Sequence, residues 1–107
     1  MIAQRGRRVR AHRVFTQMEE QRIEVAKRDL VEGLGRGLRV IECFDDAHPR
    51  LSASEVATRA GLTRAAARRH LLSLVHYGYA ATDGRQFWLL PRVLRLGESY
   101  LGSARLP

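Results

Sequence analysis

Apolar residues spaced three and four apart mark one face of an α-helix, and in this chain such runs are separated by glycine and proline. Phe15, Met18, Ile23, Val25 and Leu30 fall loosely at that spacing in a stretch without Gly or Pro, predicting a helix over residues 14–32. Gly33, Gly35 and Gly37 then interrupt it. Their spacing resembles a phosphate loop only superficially, because no strand precedes them and no GxGxxG follows, so a linker into the next helix is expected. In that helix Leu38, Ile41 and Phe44 share a face flanked by Val40 and Cys43, while Arg39, Glu42, Asp45 and Asp46 lie elsewhere. Pro49 is expected to end it.

The next boundary is sharper. Ser52-Ala53-Ser54-Glu55 matches a capping box, in which the serine hydroxyl and the glutamate carboxylate satisfy helix N–H groups that lack partners. Val56, Ala57 and Ala60 can face inward, and Gly61 stops the helix in the left-handed conformation. Thr63 can cap a further helix from Arg64 to Tyr77, which Gly78 ends, so the pair reads as a helix-turn-helix. After Gly78 the period shortens to that of strands. Residues 79–82 and 86–89 flank Asp83-Gly84-Arg85, a hairpin signal that reads as a wing. Pro91 suits the first turn of a closing helix running to about Ala104, with Val93, Leu96, Gly97 and Tyr100 on one face. The predicted fold is mainly α with a small β-hairpin: a winged helix-turn-helix over residues 33–90, preceded by a helix and followed by a linker helix over residues 91–107.

Composition changes this picture in one respect. The net charge is +8, carried almost wholly by arginine, and such an excess attracts a polyanion, nucleic acid first. Residues 1–13 hold five arginines (Arg5, Arg7, Arg8, Arg10 and Arg13) and little that could form a core, so they read as a flexible basic arm. The arm lacks the apolar stretch of a secretory signal and the serines of an organelle transit peptide. Cys43 is the single cysteine, which excludes an internal disulfide and fits a reducing, cytoplasmic compartment. No apolar run reaches the length of a membrane span, so no membrane partner is expected.

Candidate chemistry concentrates at the start of the Arg64–Tyr77 helix. Ala67, Leu71, Leu74 and Val75 form its inward stripe, leaving Arg64, Ala65, Arg68 and Arg69 outward. Small residues interleaved with planar, two-pronged donors suit a major groove, where a guanidinium can pair with guanine O6 and N7. Thr63 is more securely a cap than a base reader. Ser52 and Ser54 could offer hydroxyls to a phosphate or serve capping alone, and Arg85 at the wing tip is placed for a phosphate or the minor groove. Trp88 is expected to pack and not to stack on a base. His70 and His76 lack partners at ligand spacing, so no metal or other cofactor is expected. No Ser/His/Asp, Cys/His or paired-carboxylate set appears, which argues against an enzyme.

From about Leu30 onward the sequence resembles the N-terminal DNA-binding domain of the IclR family of transcription regulators. The resemblance rests on the Gly33-Leu34 entry with Arg36-Gly37-Leu38, the Gly61-Leu62 turn, Leu71-Leu72 with Leu74, Gly78-Tyr79, and the Leu90 to Gly97 exit. The segment Thr63 to His70 most resembles the branch that regulates aromatic-compound catabolism through the β-ketoadipate pathway. The family implies double-stranded DNA as partner, dimers on palindromic operators at the bacterial nucleoid, and an effector domain after the linker helix. No such domain follows here, so a small-molecule effector site is not expected in this chain, and any homodimer should be weak. A truncated regulator, a gene fragment and a domain cut from a longer protein all fit. A winged helix that binds protein instead of DNA is the alternative of a different class. Deleting residues 1–13 is expected to weaken binding to all duplexes alike and to flatten its salt dependence, because fewer counterions are released. A gel-shift series in salt checks this, and a change confined to one preferred sequence would mean that the arm reads a groove.

Overall fold

The computed structural model describes residues 23–104, which divide into two units between Leu30 and Val31. Among the described residues of the first unit, the regular element is a 3₁₀ turn at Lys27–Asp29, closed by Asp29 N–H to the Ala26 carbonyl at 2.9 Å. The helix expected over residues 14–32 is therefore corrected for residues 23–31, while residues 14–22 lie outside the described part. The turn buries none of its residues, and a short helix with only loose apolar periodicity and no burial gains too little to offset its nucleation cost.

In the second unit the first helix, α1 (Glu32–Glu42), includes all three glycines that were expected to form a linker. Glycine costs a helix about 1 kcal/mol per residue, and here the burial of Val40 and Cys43 outweighs it. Those two residues, and not Leu38, form the inner stripe: Leu38 is exposed while Ile41 and Phe44 are half-buried. The helix ends before Pro49 is reached. A turn over Asp45–His48 follows, in which the Asp45 carboxylate accepts the backbone N–H of His48 at 2.8 Å.

Strand β1 (Leu51–Ser52) leads directly into α2 (Ala53–Ala60), whose capping box forms as expected: Ser52 Oγ accepts Glu55 N–H at 3.1 Å and Glu55 Oε1 accepts Ser52 N–H at 2.7 Å. Gly61 closes α2 at φ +71°, a left-handed value that other residues adopt only under strain. Helix α3 (Arg64–His76) begins on Thr63, whose Oγ1 accepts Ala66 N–H at 3.1 Å, and stops at Gly78, where Tyr79 N–H reaches back to the Leu74 carbonyl at 2.8 Å.

Strands β2 (Ala80–Thr82) and β3 (Gln86–Leu89) form the expected hairpin. The sheet has a further strand that the sequence pattern did not disclose: β1 pairs antiparallel with β3, giving the order β1-β3-β2. A 3₁₀ turn over Pro91–Leu94 then precedes α4 (Arg95–Ala104), so the closing helix starts later than predicted. The winged helix-turn-helix is thus present. Its core gathers Val40, Cys43, Leu51, Val56, Leu71 and Phe87 with a set of buried alanines, and Phe44, Leu62, Leu74 and Val75 pack around it. Burial pushes the Cys43 thiol up to about 11.

Three carboxyl groups are held below the usual carboxylate range by hydrogen bonds: Glu55 from Ser52 N–H, Asp83 from Gln86 and Arg85 N–H, and Asp45 from the His48 side chain first. A folded pKa below the unfolded one contributes stability that is complete above the unfolded value and lost as pH falls through the folded one. Denaturant melts should therefore be level down to about pH 5 and weaken in more acid solution. Glu55→Gln is expected to reduce that acid loss, and Ser52→Ala to cost about 1 kcal/mol at neutral pH.

Candidate nucleic-acid interface

The turn from Gly61 to Thr63 sets the N-terminus of α3 beside that of α2, and one hydrogen bond joins them directly: Arg64 Nε donates to Ser54 Oγ at 3.0 Å. Ala67 and Leu71 are wholly buried and anchor α3 by its inner face, so the opposite face is outward by geometry alone. On that face Arg64, Ala65, Arg68 and Arg69 are all exposed. Among the described residues none of these arginines forms an ion pair, since the bridges present are Arg36–Glu32, His48–Asp45 and Arg59–Asp45. Cations without carboxylate partners keep their full charge for an outside anion, and no ion pair has to be broken first.

The other sequence-predicted residues take different parts. Ser52 and Thr63 are engaged as caps, as their positions implied. Ser54 accepts the Arg64 hydrogen bond and so serves to position that side chain. Arg85 is exposed at the wing tip, where Gly84 at φ +98° and the Asp83 carboxylate define the turn; Asp83 Oδ1 accepts Arg85 N–H at 2.9 Å and Gln86 N–H at 2.8 Å. Ser52 lies opposite Gln86 in the sheet register, so the α2 cap and the wing tip belong to one ladder. His70 hydrogen-bonds the Ala66 carbonyl through Nδ1 at 2.9 Å. Among the described residues no group of three His, Cys, Asp or Glu side chains could hold a metal, and no helix is long and apolar enough to cross a membrane.

The sequence pattern does not mark Arg50 as a site residue. Arg50 lays its guanidinium over the Trp88 ring, 3.7 Å from the centroid, and Trp88 is accordingly half-buried. A strand of two residues leaves almost no periodicity to read, and only the apolar Leu51 between Arg50 and the capping box hinted at it. A second stack, Arg92 over Tyr79 at 5.3 Å, joins the exit turn to the base of the wing.

Residues 33–84 match the family model of the IclR helix-turn-helix domain. The chain is 44% identical over 79 residues to the Pca operon regulatory protein of Acinetobacter baylyi, covering 74% of this chain and 28% of that protein. It is 46% identical over 84 residues to the p-hydroxybenzoate hydroxylase transcriptional activator of the same organism, covering 78% of this chain and 31% of that one. A crystal structure of a transcriptional regulator from Rhodococcus sp. RHA1 superimposes with a TM-score of 0.65 at 59% identity, over 69% of this chain and 30% of that chain. The chain thus spans about three tenths of the length of these relatives. These two curated relatives are regulators by name, in keeping with the expectation of a domain that is not an enzyme.

The Ser54–Arg64 bond makes the two side chains interdependent. In a double-mutant cycle on duplex affinity, Ser54→Ala and Arg64→Ala are expected to be non-additive by about 0.5–3 kcal/mol. Strictly additive losses would show that the bond does not position Arg64.

Proposed function

Residues 33–84 are an IclR-family helix-turn-helix domain, and from that premise we propose that the chain binds double-stranded DNA sequence-specifically, with α3 in the major groove and the wing on the flanking backbone. The observation that carries this reading is the exposed N-terminal face of α3, where Arg64, Arg68 and Arg69 stand without acidic partners among the described residues and Ala65 leaves room for the groove floor. Arg68 and Arg69 are the base readers. Arg64, tethered to Ser54, and Arg85 on the wing hold phosphates and fix the orientation.

A homodimer on an inverted repeat is the matching assembly. Leu34 and Leu38 on α1, and Leu96, Tyr100 and Leu101 on α4, are exposed apolar residues that a second copy would cover. The names of the relatives, a Pca operon regulatory protein and a p-hydroxybenzoate hydroxylase transcriptional activator, support genes that act on an aromatic acid as its targets, with the bacterial cytoplasm as the site of action.

Selection of bound sites from random duplexes tests the proposal. The recovered sequences are expected to be inverted repeats with half-sites about 34–36 Å apart, or a multiple of that distance. On such a site Arg68→Ala and Arg69→Ala should each cost about 1–3 kcal/mol while leaving affinity for random DNA nearly unchanged. An unaltered ratio of the two affinities in both variants would overturn the base-reading assignment.

A further inference from the structure

Trp88 is the single tryptophan of the chain, and one face of its ring is covered by the Arg50 guanidinium at 3.7 Å. The stack follows from the sheet register. Leu51 lies opposite Phe87 and Ser52 opposite Gln86, so one step further along the same antiparallel ladder Arg50 faces Trp88. A flat cation on an indole is attracted by the ring quadrupole and confined to one plane, with its N–H donors pointing outward from the ring.

Arg50 is exposed, and among the described residues no carboxylate bridges it. The acid of the wing turn, Asp83, senses its charge but spends Oδ1 on backbone N–H groups of its own turn. Arg50 is also two residues from the Ser52 cap of α2, and so is fixed to the framework that carries α3.

We propose that Arg50 is a phosphate-binding residue of the wing, and that Trp88 positions its guanidinium to hold the phosphodiester backbone beside the groove that α3 enters. The proposal rests on the DNA-binding reading above and extends it to a residue outside the helix-turn-helix. A guanidinium already ordered on a ring loses less side-chain entropy when it takes up a phosphate, and its fork can engage two phosphate oxygens at once, as an ammonium cannot.

The test uses the full chain and a random-sequence duplex. Because Trp88 is the single tryptophan, its emission reports this site alone. Duplex binding by the unaltered chain is expected to change that emission and shield the ring from acrylamide. Arg50→Ala should lower the slope of log affinity against log salt by about one, the loss of one phosphate contact. Arg50→Lys should recover only part of the affinity, with both variants checked for folding by circular dichroism. The proposal is overturned if the unaltered chain shifts the duplex in a gel while Trp88 emission and quenching stay constant. It is overturned equally if Arg50→Ala keeps the full salt slope, and full recovery by lysine would remove the positioning role of Trp88. A chain that shifts no duplex even at low salt fails earlier, at the DNA-binding reading, and takes this proposal with it.

Discussion

The pairing of two residues, Leu51 and Ser52, with β3 fixes the wing to the helix-turn-helix. Ser52 belongs to both parts at once: it is the end of a strand whose neighbour is Gln86, and it is the N-cap of α2. The hairpin therefore cannot swing independently of α2, and α2 is bonded to α3 through Ser54 and Arg64. Leu51 and Phe87, opposite each other in that ladder, are both buried in the core. A two-stranded ribbon alone is marginal in water, so the third strand and the buried phenylalanine are what make the wing a defined surface.

The helices meet through small side chains. Ala57, Ala60 and Ala67 are buried where α2 and α3 approach, which lets two short helices pack closely while their outer faces carry bulky arginines. Other arginines close the helix ends. Arg39 Nε donates to the Ala60 carbonyl at 3.2 Å, and Arg59 Nε to the Cys43 carbonyl at 3.2 Å, so α1 and α2 each supply a donor to the C-terminal end of the other. A cation at a helix C-terminus is also favoured by the helix dipole. Part of the positive charge is thus structural, while Arg64, Arg68 and Arg69 on α3 and Arg85 on the wing are exposed and form no ion pair among the described residues.

Much of this could be read from residues whose local chemistry decides the outcome. The Ser52–Glu55 box, Thr63, Gly61 and Gly78 set helix ends by short-range hydrogen bonding and backbone sterics, and each stands where it was placed. The outward set on α3 followed from the same periodicity that buries Ala67 and Leu71. What failed to show were features decided by tertiary contact. Glycine content argued against the start of α1, yet packing of Val40 and Cys43 kept it helical. Residues 23–31 had helical spacing but buried nothing in their turn. Strand β1 is too short to have a period, so its pairing with β3, and with it the Arg50–Trp88 stack, could be seen only in three dimensions.

The buried cysteine gives the fold an internal clock. Cys43 Sγ lies within hydrogen-bond reach of the Arg39 carbonyl at 3.3 Å and the Val56 carbonyl at 3.9 Å, at the junction of α1 and α2. With burial raising its pKa to about 11, the thiol stays protonated at neutral pH and the reactive thiolate is scarce in the folded protein. Alkylation must then wait for the α1–α2 junction to part, and its rate counts those openings. The same atom that fills space in the core therefore keeps time on the motions that loosen it.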